Sequence, residues 1–173
     1  NDEPVLADIQ FEGQPRKVLF QTNKNGFVYT LDRTNGKLLA AHPYTRVNWA
    51  SRIDIATGRP VINRELYDQI VRGEEVHIYP QRGTNAVPPA YSPSTGLIYG
   101  SSWALPRIFR AAPPPENPQV LSVRSSGIIS RQYVPAPHEV ACHYFAIDPL
   151  TCRKEWEIPL LGSSSSAGML ATA

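Results

Sequence analysis

Titratable side chains gather in one short stretch, where His138, Glu139, Cys142 and His143 lie within six residues. Two histidines four residues apart on a helix, with a glutamate between them, would share one face and could bind zinc. Here the histidines are five residues apart, Pro137 precedes them, and the segment has the composition of a strand. Neighbouring strand residues point to opposite faces, which also separates the thiol of Cys142 from the imidazole of His143. We therefore predict no metal site in this stretch.

Three aspartates could serve as general acids or bases, but each begins the same short pattern. Asp32, Asp54 and Asp148 each end an apolar run, and a threonine follows within three residues, whereas a further copy has Ser92 in the aspartate's place. Such a side chain can cap the turn that follows it, and a glycine after the threonine tolerates left-handed backbone. We interpret the pattern as a repeated connection between strands, with copies at 31–37, 53–59, 91–96 and 147–154.

The two cysteines, Cys142 and Cys152, are expected to be free thiols. If a strand runs from Cys142 toward Cys152, their Cα atoms lie about 15 Å apart at about 3.3 Å per residue. A disulfide requires less than about 7 Å. Cys152 also occupies the glycine position of the last repeat, where a positive φ would strain it.

Composition excludes several classes of protein. The net charge is only +2, which does not favour a nucleic-acid partner, and 42% of the residues are hydrophobic, which argues against disorder. No apolar run approaches the roughly 20 residues of a membrane-spanning helix. Proline accounts for 17 of the 173 residues, which predicts many turns and few long helices. The chain begins with Asn1 and shows no leader pattern, and we expect it to be part of a longer polypeptide.

The elements that must position these side chains are short strands. Four runs of β-branched and aromatic residues, bounded by turn formers, predict strands at 17–20, 27–31, 97–99 and 143–147. Asn25-Gly26 between the first two predicts a hairpin with a type I′ turn. The segment 64–73 predicts a short helix of one or two turns, and the Pro- and Ser-rich segment 105–140 predicts an irregular or polyproline-like loop.

Five stretches in order resemble the pyrroloquinoline-quinone (PQQ) dependent alcohol dehydrogenases, the quinoprotein methanol and ethanol dehydrogenase family. They are NGFVYTLDRTNGK at 25–37, VNWA with the following DIATGRP at 47–60, PAYSPSTGLIY at 89–99, AIDPLTCRKEW at 146–156, and GMLATA at 168–173. The fourth resembles the family's tryptophan-docking motif, in which a glycine stands where this chain has Cys152. We expect Trp156 of this stretch, and Tyr29 of the first, to pack between blades.

The resemblance implies an all-β fold, an eight-bladed β-propeller of four-stranded antiparallel sheets. This chain would supply about three blades, as one domain over residues 1–173 with a Pro/Ser-rich insertion at 104–141. It also implies PQQ near the propeller axis, together with a calcium or lanthanide ion. Lys24 stands where the family has a Lys or Arg that hydrogen-bonds the quinone oxygens, and Asn85 where the family has a cofactor-contacting Asn.

The family's catalytic aspartate and metal ligands have no matching positions in this chain, so the predicted site is cofactor-binding only. A fixed cation at Lys24 would stabilise negative charge as a quinone is reduced. A solvated turn lysine and a turn asparagine are the alternative interpretations of Lys24 and Asn85.

Two functional hypotheses follow. The first is a segment of a periplasmic oxidoreductase that oxidises a primary alcohol to an aldehyde and passes electrons to a cytochrome. The alternative is a non-catalytic scaffold of PQQ-like repeats, or a truncated inactive product. The Pro-rich insertion favours the scaffold, and so does Ser166, which stands where the family has a tryptophan. Cys152 and Ala40 also depart from the family pattern, which has a glycine and the docking tryptophan at these positions. Either way, we expect open sheet edges that need the rest of a propeller or another chain.

Overall fold

The computed structural model of the protein describes residues 3–85, 87–112, 127–161 and 167–172. These residues form 13 strands and one short helix, most of them joined by tight turns. In chain order the elements are β1 (Val5–Phe11), β2 (Gln14–Thr22), β3 (Phe27–Asp32), β4 (Leu38–Pro43), β5 (Ala50–Ile53), β6 (Pro60–Ile62), α1 (Arg64–Val71), β7 (Val76–Ile78), β8 (Ala90–Ser92), β9 (Leu97–Trp103), β10 (Arg107–Ala111), β11 (Ile128–Gln132), β12 (Val140–Ile147) and β13 (Lys154–Leu161).

The strands make four antiparallel sheets within the described part of the chain. Two of them have the four strands predicted for a propeller blade, in the orders β1-β2-β3-β4 and β13-β12-β9-β8. The other two have two strands, β5-β6, and three strands, β11-β10-β7. The all-β prediction is confirmed.

The β1–β4 sheet is covered on both faces, because successive side chains of a strand point to opposite sides. One face packs against the β8–β9–β12–β13 sheet through a core of buried side chains, which includes Val18, Phe20, Val28, Ile98, Phe145 and Ile147. The other face presents Phe27 and Ala41 to Ala50 and Ile53 of β5. Sheets stacked face to face in this way are what a propeller requires.

The repeated pattern forms the same closed turn in all four copies. Counted from the aspartate, or from Ser92 in the third copy, the fifth residue donates its backbone N–H to the carbonyl of the first, at 2.7 to 2.8 Å, and has positive φ. These fifth residues are Gly36, Gly58, Gly96 and Cys152. Cys152, at φ 58°, therefore sits in left-handed backbone, as its position in the repeat predicts.

The insertion at 104–141 differs from the predicted loop where the structure describes it. Strands β10 and β11 pair with each other, and β10 also pairs with β7. Runs such as Ile128-Ile129 supply β-branched residues that favour strand pairing over an irregular chain. The proline triplet at 113–115 lies outside the described residues.

The predicted short helix at 64–73 is confirmed as α1, which buries only Ile70 among its side chains. None of the helical structure in the described residues has the length and apolar character needed to cross a membrane.

Candidate functional site

The turn that carries Lys24 joins β2 to β3. Gly26 donates its backbone N–H to the carbonyl of Asn23 at 2.9 Å. The backbone N–H of Asn23 donates to the carbonyl of Phe27, also at 2.9 Å. Lys24 and Asn25 are thus the central residues, and only Gly26 has positive φ, at 95°. The predicted hairpin is confirmed, but the type I′ turn is wrong: this is a type I turn followed by a left-handed glycine. The extra residue places Lys24 at the tip.

Side chains on either side of Lys24 hold this turn. Asn23 Oδ1 accepts a 3.1 Å hydrogen bond from the backbone N–H of Asn25, and Asn25 Oδ1 accepts one of 3.0 Å from the first residue of β3. The amide of Asn25 also donates to the hydroxyl of Tyr29 at 2.8 Å. Lys24 is exposed, and its ammonium makes no hydrogen bond or ion pair to any described residue. A fixed turn therefore presents a cation that is available to a ligand.

The segment that carries Asn85 runs beside β9. Gly83 forms an isolated β-bridge with Trp103. The backbone N–H of Trp103 donates to the carbonyl of Gly83 at 2.9 Å. Thr84 is buried, and its hydroxyl donates to the carbonyl of Ser101 at 3.0 Å. Asn85 follows directly and is half-buried, with no hydrogen bond from its side chain to the described residues. Its amide is therefore a free donor and acceptor beside an anchored backbone.

The two segments meet at the hydroxyl of Tyr44. This hydroxyl donates to the carbonyl of Asn23 at 2.9 Å and accepts from the backbone N–H of Thr84 at 2.5 Å. A Cβ on Gly83 would lie 2.5 Å from the same hydroxyl and 2.9 Å from the carbonyl oxygen of Lys24. The contact between the segments therefore requires glycine at position 83. The structure thus brings the backbones of both predicted site residues to one place.

Other polar groups close to this junction in sequence carry no negative charge. Gln81 has a buried side-chain nitrogen with no hydrogen-bond partner in the part of the chain that the structure describes. The guanidinium of Arg82 stacks over the ring of Trp103, 4.7 Å from its centroid. Gln81 and Arg82 thus add hydrogen-bond donors, and no negative charge, to the segment that carries Asn85.

Sequence reasoning missed Tyr44 and Gly83 as parts of the site. Tyr44 lies in no repeat, and it reaches partners 21 and 40 residues away along the chain. A signal was present only at Gly83, because a glycine just before the Thr84-Asn85 pair is typical of a close backbone approach.

The residues considered for metal binding do not come together. In the described ranges, no three His, Cys, Asp or Glu side chains are grouped so that they could hold an ion. His143 lies on β12, and its Nδ1 is 3.2 Å from Glu157 Oε1 but out of line for a hydrogen bond. Burial lowers the pKa of His143, and the Glu157 carboxylate only partly opposes this effect.

The thiols are free, as predicted; Cys142 is buried and Cys152 is half-buried. Burial raises the pKa of Cys142 to about 11 and that of Cys152 to about 12. Since the thiolate is the reactive form of cysteine, burial disfavours nucleophilic chemistry at both residues.

The repeat aspartates cap turns, as predicted, and do not form a catalytic group. Asp32 Oδ1 accepts hydrogen bonds from the backbone N–H and hydroxyl of Thr34, and Asp54 Oδ1 accepts the same pair from Thr57. These bonds lower the pKa of both carboxyls, with the threonine hydroxyl the largest cause in each.

Comparisons with known proteins point to one family. The profile described as "PQQ: Glucose/ethanol/alcohol dehydrogenase, beta-propeller domain" matches residues 1–50. The quinohemoprotein alcohol dehydrogenase ADH IIB of Pseudomonas putida is 34% identical over 171 residues, which cover 98% of this chain and 24% of the relative. The lanthanide-dependent methanol dehydrogenase of Methylorubrum extorquens is 33% identical over 99% of this chain and 30% of its own length.

Among solved structures, the quinohemoprotein alcohol dehydrogenase from Comamonas testosteroni superposes with a TM-score of 0.75 at 26% identity. The match covers 95% of this chain and 25% of that one. The chain belongs to the PQQ-dependent alcohol dehydrogenase family. It spans between about a quarter and a third of the length of these relatives.

The three positions where this chain departs from the quinoprotein pattern lie in different surroundings. Ser166 lies outside the described residues. Ala40 is buried in β4. Cys152 packs against the core from its left-handed position.

Two aromatic residues were predicted to pack between blades, and the prediction holds for one of them. Tyr29 packs with the cluster between the β1–β4 sheet and β5, as predicted. Trp156 lies on β13, the edge strand of its sheet, and is 40% exposed. Its ring meets Tyr99 of the same sheet, with the centroids 6.0 Å apart, and packing of Trp156 between blades stays a prediction.

Proposed function

We propose that this chain forms one side of the PQQ site of a quinoprotein dehydrogenase that oxidises a primary alcohol to an aldehyde. The observation that carries the proposal is the shared junction of the Lys24 turn and the Asn85 segment through Tyr44. Family membership alone would leave these positions as separate turn residues. Their convergence supports a common ligand.

The residues present fit PQQ by their chemistry. The Lys24 ammonium has three donors and no described partner, and the Asn85 amide can donate to one oxygen and accept elsewhere. PQQ, when bound, supplies the two-electron oxidant for the alcohol. Lys24 would hold a quinone oxygen through a charge-assisted hydrogen bond and favour the extra negative charge of the reduced form. Asn85 would orient the ligand, and the close backbone contact at Gly83 would keep the two donors at a constant separation.

We assign no metal ligand to the described residues. The calcium or lanthanide ion that the resemblance implies would be held elsewhere in the polypeptide. We also propose transfer of electrons to a cytochrome and a periplasmic location. The support for the cytochrome is the haem in the name of the Pseudomonas relative; the location rests on the resemblance alone.

Removal of the Lys24 ammonium tests the proposal. The polypeptide at its native length is titrated with PQQ while quenching of its tryptophan fluorescence is followed. Loss of a charge-assisted hydrogen bond should raise the Kd of Lys24→Ala about tenfold or more. Asn85→Ala should raise it by a smaller factor, about threefold to tenfold, because a neutral amide is lost.

Lys37→Ala is the matched control, since Lys37 is an exposed lysine in the next turn of the same sheet. Its Kd should remain within about twofold of the unsubstituted protein. Equal Kd values for Lys24→Ala and Lys37→Ala would reject the cofactor site. Failure of the unsubstituted protein to bind PQQ would favour the scaffold function.

A further inference from the structure

Tyr44 is held in place independently of any ligand. It follows β4 directly, it is 1% exposed, and its ring packs against Phe145 of β12 with the centroids 5.3 Å apart. Its backbone N–H donates to the carbonyl of Gly26 at 3.0 Å. The ring is therefore fixed at one end by the core between two sheets and at the other by the Lys24 turn.

The hydroxyl uses this fixed position to join two segments that have no strand pairing with each other. It donates to the carbonyl of Asn23, one residue before Lys24, and accepts from the N–H of Thr84, one residue before Asn85. An O–H group can do both at once, because it has one proton to donate and lone pairs to accept. The two candidate cofactor residues thus stand at matching positions on either side of a single atom.

We propose that Tyr44 is a positioning residue that sets the separation of Lys24 and Asn85 to suit a quinone ligand. The proposal rests on the proposed function, since it concerns the same site. A ligand that contacts both side chains gains most when their spacing is correct before binding, because no conformational freedom is then lost. Gly83 contributes to the same contact, because its missing Cβ lets its backbone lie close to the Tyr44 hydroxyl and the Lys24 carbonyl.

Tyr44→Phe removes the hydroxyl and keeps the ring against Phe145. Tyr99→Phe is the matched control, because its hydroxyl also makes a hydrogen bond, to Thr95 Oγ1 at 3.0 Å, but joins no two segments of the site. We expect Tyr44→Phe to raise the Kd for PQQ about fivefold to tenfold, and Tyr99→Phe to leave it within about twofold. Amide exchange at Thr84 should become faster in Tyr44→Phe only, as its N–H loses its acceptor.

A double-mutant cycle separates positioning from general support of the fold. If Tyr44 acts by positioning, Lys24→Ala should raise the Kd about tenfold in the unsubstituted protein but only about twofold in the Tyr44→Phe background. A purely structural role predicts equal factors in both backgrounds, and that result would overturn the proposal. An unchanged Kd in Tyr44→Phe would overturn it as well.

Gly83→Ala provides a second route if Tyr44→Phe does not fold. It keeps the hydroxyl but pushes a methyl group into the junction, and it should reduce the effect of Lys24→Ala in the same way. Additive factors with this variant would count against positioning. If Lys24→Ala has no effect in any background, the proposed function fails, which is distinct from the case where Lys24 matters and Tyr44 does not.

Discussion

The indole Nε1 of Trp49 donates a 2.9 Å hydrogen bond to the carbonyl oxygen of Asn25, the residue next to Lys24. The same ring meets Phe27 edge-on, with the centroids 5.9 Å apart. Trp49 immediately precedes β5, which belongs to a different sheet from the hairpin that carries Lys24. The turn is therefore held by a neighbouring sheet as well as by its own strands, and the site depends on how the sheets stack.

Trp49→Phe should lower the free energy of unfolding by about 1 to 2 kcal/mol, because the Asn25 carbonyl loses its donor and an aromatic contact shrinks. Urea unfolding measures the change. Trp156→Phe is the control, since Trp156 is 40% exposed and lies on an edge strand, and it should lower the same free energy by less than about 0.5 kcal/mol. Equal losses in the two variants would mean that the Trp49 hydrogen bond contributes nothing special.

Replacement of Cys152 should reveal the strain of its left-handed backbone. At φ 58° an L-residue is disfavoured, whereas glycine is not. Cys152→Gly should therefore be more stable than Cys152→Ala by about 1 kcal/mol, as measured by thermal unfolding. The comparison is made between these two variants because both lose the sulfur.

Gly96→Ala is the reciprocal control, in the sibling turn. Gly96 has φ 70°, and a Cβ there would meet no atom within 4 Å, so only backbone strain is added. The substitution should lower the free energy of unfolding by about 1 kcal/mol. If Gly96→Ala is as stable as the unsubstituted protein, these turns accept any residue at their fifth position.

Stability should fall in acid because of the capping aspartates. The folded-state pKa values of Asp32 and Asp54 lie below the ordinary carboxyl value, so the contribution of both groups is present above that value. It is lost as the pH falls below about 4 and through the lowered folded values. In a series of melting temperatures from pH 7 to pH 2, Asp32→Asn should flatten part of this decline, and the double variant with Asp54→Asn should flatten more. An Asp32→Asn profile that falls as steeply as the unsubstituted one would contradict this assignment.

The outer strand β13 should make the 173-residue chain self-associate. Trp156, Ile158 and Leu161 on this edge strand are 40%, 53% and 56% exposed, and an edge with apolar side chains favours pairing between chains. Sedimentation velocity should show species larger than a monomer, and Ile158→Lys should reduce them. Ile55→Lys, at an exposed turn, should not. If the unsubstituted chain is monomeric, the exposed edge strand β13 does not drive self-association.

Features that depend on neighbouring residues could be predicted from the sequence. The repeat turns close within five residues, so an aspartate or serine followed by a threonine is enough to indicate them, even where Cys152 replaces the glycine. The hairpin at Asn25-Gly26 was predicted for the same reason, but not its turn type, which depends on how the flanking strands pair. The strands β10 and β11 were missed because the proline-rich segment between them dominates the local composition.

The sequence by itself determined the strand-and-turn repeat, the family, and the candidacy of Lys24 and Asn85, because each depends on residue types at fixed local spacing. Only the tertiary structure decided that these two positions adjoin, since Tyr44 reaches Thr84 across 40 residues. No local pattern records which backbone carbonyl and which amide one hydroxyl will join. That choice follows from the packing of the Tyr44 ring between sheets, which is a property of the whole core.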